Sequence, residues 1–321
     1  MRWSVLVVAM LAFAGCVEEE PGEPETEQTD APETSTATSQ PSSSSAPTPS
    51  AAPKGCDPTV TKAGDQYVAR CALQYHLDYT GAKDAGFETG NGDVSFGNGP
   101  GRADVSLWGR GDTESEALER LSELTVTATA THIEVTAEDG WTQQGADIAA
   151  STQSAVGEVA IRTGNGEINV DVTSTSQTLE TGNGDVETSS AIGDLAIMTG
   201  NGDITVDGDV GDMSLSSGNG EIDADVVPVA SAGWSLETGN QEILLRIKED
   251  TTRGYDITAM TGNGEITFET QETAPGGQAG YGMASEKTTG YETRAIQVDV
   301  DLFTGNGDID VRSSSAQSAA L

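Results

Sequence analysis

The sequence predicts an all-β fold: a single-chain β-solenoid of about 18 residues per turn with one short helix. Three observations predict it. A pentapeptide Thr/Ser-Gly-Asn-Gly-Asp/Glu recurs at 89–93, 163–167, 181–185, 199–203, 217–221, 261–265 and 304–308, with a variant TGNQE at 238–242. Between 163 and 217 the copies start 18 residues apart. A fixed period near 20 marks units that bury their apolar faces only by stacking on one another. Finally, a half-period of nine residues is visible in Gly184-Asp185, Gly193-Asp194, Gly202-Asp203, Gly211-Asp212 and Gly220-Glu221.

Each Gly-acid pair opens a short alternating stretch, as in Ile168/Val170, Leu195/Ile197, Ile204/Val206 and Met213/Leu215. Period-two alternation is the pattern of a strand with one buried face. Thr, Ser and Glu are expected on the outward positions. The repeat corners are assigned to Gly164, Asn165, Gly166, Gly182, Asn183, Gly184, Gly200, Asn201, Gly202, Gly218, Asn219 and Gly220. Glycine adopts positive φ at no steric cost and Asn tolerates it, which is the expected reason for both at a corner. One turn is then two strands and two corners, with turns ~4.8 Å apart. The alternative is an antiparallel meander or sandwich, because Asn-Gly between alternating runs is also a strong hairpin signal.

Before the repeats, residues 55–80 read as strands around a Gly64-Asp65 turn, and 102–109 as another. TESEALERL then breaks the pattern. Thr113 can cap a helix with Glu116 three residues on, and Ala117, Leu118 and Leu121 share a face. LTVTATATHIEVTAEDG gives two more strands. After 226 the spacing loosens, and the widest gap holds a Gly-rich excursion at 273–293 with Tyr281 and Tyr291. That excursion is either a binding loop or a bare surface loop. The copy at 304–308 is expected to close the stack.

The termini read as processing and tether segments. Arg2 precedes an apolar run from Trp3 to Phe13 and the small residues Ala14-Gly15 before Cys16. This layout, too short to span a bilayer, resembles a bacterial lipoprotein signal over residues 1–16, which implies lipidation of Cys16. Residues 17–54 are Pro, Ser, Thr, Ala and Glu with almost no large apolar side chain, so they are expected to form a disordered tether. The β-repeat domain covers 55–313, and 314–321 is expected to fray. Cys56 and Cys71 lie fifteen apart, and in an exported chain such a pair forms a disulfide most simply.

Charge narrows the partners. There are 52 acidic and 15 basic residues, for a net charge of −37. Nucleic acid is excluded as a natural partner, because phosphate neutralisation needs clustered Lys and Arg. Eighteen-residue register would stack Glu167, Asp185, Asp203 and Glu221 at one corner, where like charges repel unless amides, water or cations neutralise them. Calcium takes such oxygen ligands, so these four are the candidate Ca²⁺ residues. The competing reading has them accept turn amides or face water, and no cofactor is assigned.

Catalysis finds little support. Arg246-Ile247-Lys248 is like the basic tripeptide of β-helical pectin hydrolases, but the acidic-pair and histidine motifs of those enzymes are absent. No GxSxG, HExxH or P-loop occurs. The [TS]GNG[DE] units, the ESEALERL helix with its TVTATATHIEV strands and the lipoprotein start resemble the putative-adhesin β-repeat family of bacterial envelope lipoproteins, over roughly 70–313. More distantly they resemble autotransporter adhesin heads. That family is largely of unknown function. The resemblance implies a β-solenoid at the cell surface or in the periplasm and supplies no catalytic motif. The expected function is non-catalytic: binding or adhesion to a carbohydrate or protein surface ligand, or a structural role, with the membrane engaged through the lipid anchor. The alternative is an envelope polysaccharide-processing enzyme on a β-helix.

Overall fold

The computed structural model describes residues 55–138, 140–190, 192–270 and 282–313. The signal segment with Cys16, the tether, the 314–321 tail and residues 271–281 of the Gly-rich excursion lie outside the described residues. Alternating sequence becomes strand almost throughout. Among the described residues the strands form two sheets, one of twelve strands and one of eleven.

Successive strands of the repeat region fall in alternate sheets, and each pairs in parallel with the strand two ahead. In the eleven-strand sheet Val156–Asn165, Ser174–Thr181, Ile192–Thr199, Met213–Ser217 and Ala232–Thr238 follow one another. In the twelve-strand sheet the matching run is Ile168–Asp171, Val186–Ser189, Ile204–Val210, Ile222–Pro228 and Ile243–Ile247. Partners up to 222 are offset by the 18 residues read from the sequence: Ile168 pairs with Val186, Val186 with Ile204, and Ile204 with Ile222. Pairing in this region is parallel, so the hairpin reading of Asn-Gly does not apply to it.

The core is the product of that register. Phe87, Ile161, Leu179, Ile197, Leu215, Leu236 and Leu302 form one continuous inner file, each at most 2 % exposed. Burying a side chain of this size contributes roughly 1.5–3 kcal/mol. No single turn could do this alone, because each face is covered only by its neighbours. One polar pair sits inside: Thr188 donates to Gln177 at 2.8 Å.

Both ends depart from simple stacking. The first copy of the repeat lies directly against the second, Phe87 beside Ile161 and Val94 beside Ile168. The intervening chain instead folds back as antiparallel strands, with Arg102–Gly111 between Gln66–His76 and Gln144–Thr152. The helix Glu114–Ser122 carries the predicted capping box. It buries Ala117 and Leu121 toward Arg102–Gly111, where a Cβ on Gly109 would meet the Ala117 carbonyl at 2.6 Å.

At the other end the expectation that 304–308 closes the stack is corrected. Ile296–Thr304 is inserted between Ala232–Thr238 and Arg253–Thr261, in parallel with both. The outer edge of Arg253–Thr261 is occupied by the antiparallel strand Met283–Lys287, which leaves its inner edge for the later turn. Parallel pairing needs a long crossover, and the wide gap between the last two copies supplies it. The described part of the excursion is thus a strand and a short 3₁₀ turn, Tyr291–Thr293. Tyr291 is buried and donates its hydroxyl to Asp299 at 2.6 Å.

Candidate functional site: corner ladders and an open groove

Each letter of the repeat has a physical role at the corner. The leading Thr or Ser is buried, because it continues the parity of the inward residues before it. From the second copy onward its hydroxyl donates to the carbonyl of the second repeat Gly of the adjacent turn, or of Gln241 in the variant copy: Thr181 to Gly166 at 2.9 Å, Thr199 to Gly184 at 3.0 Å, Ser217 to Gly202 at 2.8 Å, Thr238 to Gly220 at 2.7 Å and Thr304 to Gln241 at 2.9 Å. Thr89 of the first copy donates instead to the Ala146 carbonyl at 3.2 Å. This inward hydroxyl file was not foreseen. Counting parity from Leu195 and Ile197 to Thr199 was the signal that could have found it.

The glycines are needed for a reason other than the expected one. None of Gly164, Gly166, Gly182, Gly184, Gly200, Gly202, Gly218 and Gly220 has φ between +20° and +160°. Backbone approach decides instead. A Cβ on Gly202 would lie 1.8 Å from the Gly184 carbonyl oxygen, and one on Gly200 would lie 2.5 Å from that of Gly182.

The corner asparagines form a continuous amide ladder. Asn165 donates to Asn91, Asn183 to Asn165 and Asn201 to Asn183, each at 2.7 Å. Asn219 donates to Asn201 and Asn240 to Asn219 at 2.6 Å. Beyond the insertion the ladder runs through Asn306, which donates to Asn240 at 2.8 Å, to Asn263, which donates to Asn306 at 2.7 Å.

The aspartates of the acidic file at the same corner accept backbone amides. Oδ1 of Asp93 accepts from the Glu167 N–H at 3.0 Å, that of Asp185 from Asp203 at 2.9 Å, and that of Asp203 from Glu221 at 2.8 Å. Of the four Ca²⁺ candidates, Asp185 and Asp203 therefore accept a neighbour's amide, while Glu167 and Glu221 accept none from the described residues. Among the described residues no group of three or more His, Cys, Asp and Glu is arranged to hold a metal ion. The Glu221 carboxyl is raised above the usual carboxylate range by partial burial, and then by Glu242, Asp203 and Asp223, with Arg246 opposing. Asp225 is raised by partial burial and by Asp207.

A wide groove of about 910 Å³ runs along the outer face of the eleven-strand sheet. Half-buried Trp141 forms one wall and exposed Met198 rises from the floor, where Arg162 and Glu180 pair at 3.1 Å. Trp141 lies flat against Gly90, where any Cβ would strike the ring. The floor from 163 onward belongs to a stretch, 163–245, with no Lys or Arg and fifteen Asp and Glu. Elsewhere, Cys56 and Cys71 are joined, their Cα atoms 5.7 Å apart. Arg246 of the basic tripeptide is tied to Asp223, and Ile247 is core. His76 and His132 stand on different sheets. No described helix is long and apolar enough to cross a membrane.

No family model and no curated protein matches the chain. Solved structures do. A "putative cell adhesion protein" from Clostridium sporogenes ATCC 15579 is 12% identical, with 76% of this chain and 99% of that one covered and a TM-score of 0.32. A "putative adhesin" from Bacteroides fragilis NCTC 9343 is 9% identical, over 75% and 96%, with a TM-score of 0.37. A "Putative lipid binding protein" from Parabacteroides distasonis ATCC 8503 is 10% identical, over 76% and 97%, with a TM-score of 0.30; this chain is similar to each of the three at low identity.

Proposed function

We propose that the chain is a lipid-anchored bacterial envelope protein whose repeat array is a β-solenoid acting as a non-catalytic binding element of the adhesive kind. Cys16 carries the lipid, 17–54 is the tether and 55–313 is the displayed domain, with the Cys56–Cys71 disulfide near its start. The two parallel ladders are the two faces of the solenoid. Adhesion is also the role named for two of the similar structures.

The groove beside Trp141 is the observation that carries the binding reading. It is open along its length, which suits an extended ligand laid across several turns. It offers an aromatic wall, an apolar floor residue and an Arg–Glu pair, a combination suited to stacking and hydrogen bonding a saccharide chain. We read the fit as recognition: Arg162 pairs with Glu180 on the floor, and Glu88 is the second carboxylate that lines the groove.

The test is binding of the full chain to immobilised neutral and charged polysaccharides, compared with Trp141→Ala and Met198→Ala. Retention that both variants weaken supports the reading. Retention unchanged in both variants, or turnover of the polysaccharide, refutes it. Incorporation of a labelled fatty acid, lost in Cys16→Ser, tests the anchor separately.

A further inference from the structure

We propose that Asn263 is a site of spontaneous deamidation, and that the reaction then advances inward to Asn306 and halts at Asn240. The chemistry needs only the chain and water. The backbone nitrogen of Gly264 attacks Cγ of Asn263, forming an N–Cγ bond. The Cγ–Nδ2 bond breaks, and Nδ2 leaves as ammonia with the proton given up by the Gly264 nitrogen. Water then opens the cyclic imide at either carbonyl, leaving aspartate or isoaspartate. Glycine as the following residue favours the attack, since no side chain obstructs its nitrogen and its backbone turns freely.

The corner repeat places this reactive pair at turn after turn, and exposure does not separate them: Asn183, Asn201 and Asn263 are all exposed. The ladder does. Asn183 and Asn201 are held at both ends, with Nδ2 donating to one neighbour and Oδ1 accepting from the other. To cyclise, either must leave two hydrogen bonds. Asn263 is the outermost member. Its Nδ2 donates to Asn306 at 2.7 Å, and no described donor reaches its Oδ1.

Other Asn-Gly pairs carry further restraints. Gly99 donates its N–H to the Thr152 carbonyl at 2.8 Å and Gly220 to the Ser217 hydroxyl at 2.8 Å, so those nitrogens are engaged. Asn91 donates to the carbonyls of Trp141 and Gln144.

Loss of the amide at 263 passes the weakness on. A carboxylate has no N–H to offer Asn306 Oδ1, so Asn306 becomes the new end of the ladder, and it too precedes a glycine, Gly307. The next member, Asn240, precedes Gln241, whose side chain hinders the attack. The one corner copy lacking Asn-Gly therefore stands as a stop between the terminal turns and the regular array.

The test is peptide mapping by mass spectrometry of the full chain, kept folded at mildly alkaline pH and sampled over days, with isoaspartate detected by enzymatic methylation. Asn263 should convert about tenfold faster than Asn183 or Asn201, the effect of one fewer hydrogen bond to release. Asn306 should follow after a lag, with Asn240 unchanged, and denaturant should level the Asn-Gly rates. Equal rates in the folded protein, or interior sites first, would overturn the proposal. In Asn263→Ala, Asn306 should become the first site to react. If Asn183 reacts first instead, the ladder is not the protecting element.

Discussion

Asp203 reaches across to the neighbouring turn, where its Oδ1 accepts the backbone N–H of Glu221 at 2.8 Å. The aspartates of that corner file behave alike: Asp147, Asp93, Asp185 and Asp308 each accept a backbone N–H from an adjacent strand. No described backbone N–H donates to Glu167, Glu221 or Glu242 in the same file. The difference is one methylene. An aspartate places its oxygen at the height of the next amide, whereas a glutamate carries it past, toward water.

The first prediction follows from that reach. Asp203→Glu should lower stability by about 1 kcal/mol, and Asp203→Asn should lose less because its carbonyl still accepts. Glu167→Asp should raise the unfolding midpoint by supplying an acceptor to the Asp185 amide. Thermal unfolding of the three variants is the measurement. If Asp203→Glu is neutral, the file is merely solvated.

Glu221 gives a pH dependence with a determined sign. Its folded-state pKa is raised, first by partial burial and then by Glu242, Asp203 and Asp223. The folded state therefore holds the proton more tightly than the unfolded chain, and this group's contribution to stability declines as pH rises through its folded pKa. At pH 7 the charged carboxylate is a liability. Glu221→Gln should be more stable than the parent at about pH 7, and the gain should vanish at pH ~3, below the unfolded as well as the raised folded pKa, where the carboxyl is protonated in both states. Unfolding midpoints of the two proteins at both pH values decide it. A gain that persists in acid would assign the effect to something other than charge.

The hydroxyl file makes a third prediction. Thr238 is fully buried and its hydroxyl donates to the Gly220 carbonyl at 2.7 Å. Thr238→Val keeps the volume and strands that carbonyl, which should cost about 1–2 kcal/mol. Thr238→Ala adds a cavity and should cost more. Chemical denaturation separates them. Equal loss in both would make volume alone the determinant.

What the sequence disclosed is what repeats along it. The 18-residue spacing specified that Ile168, Val186, Ile204 and Ile222 share a file, and the pairing follows it. Thr113 and Glu116 announced the helix cap because a capping box is entirely local. The insertion of Ile296–Thr304 between two earlier turns left no local mark, since every turn has the same corner chemistry and any could stack on any other. The roles of the glycines were misread for a related reason. A backbone approach between turns is a property of two distant segments, and Gly182 beside Gly164 looks in sequence like any glycine needing a left-handed turn. The groove was equally hidden: Trp141 and Met198 come from segments that only the register brings to one face.

Two glycines on the same array separate approach from conformation, which is the last prediction. At Gly202 an added Cβ would lie 1.8 Å from the Gly184 carbonyl oxygen, with no room on the opposite side of the bond because Gly220 repeats the same contact one turn on. At Gly233 nothing lies within 4 Å of the added atom. Neither has a positive φ, so backbone strain is the same in kind at both. Gly202→Ala should force adjacent turns apart and cost about 3 kcal/mol, the upper range for an overpacked site. Gly233→Ala should fall within about 0.5 kcal/mol of the parent. Hydrogen exchange then locates the damage. In Gly202→Ala, faster exchange should centre on the amides of 181–204 and fade by the next turns, because each turn contacts only its neighbours. Uniform acceleration along the whole array would instead mean that the turns unfold as one unit, and the nearest-neighbour account of its stability would fail.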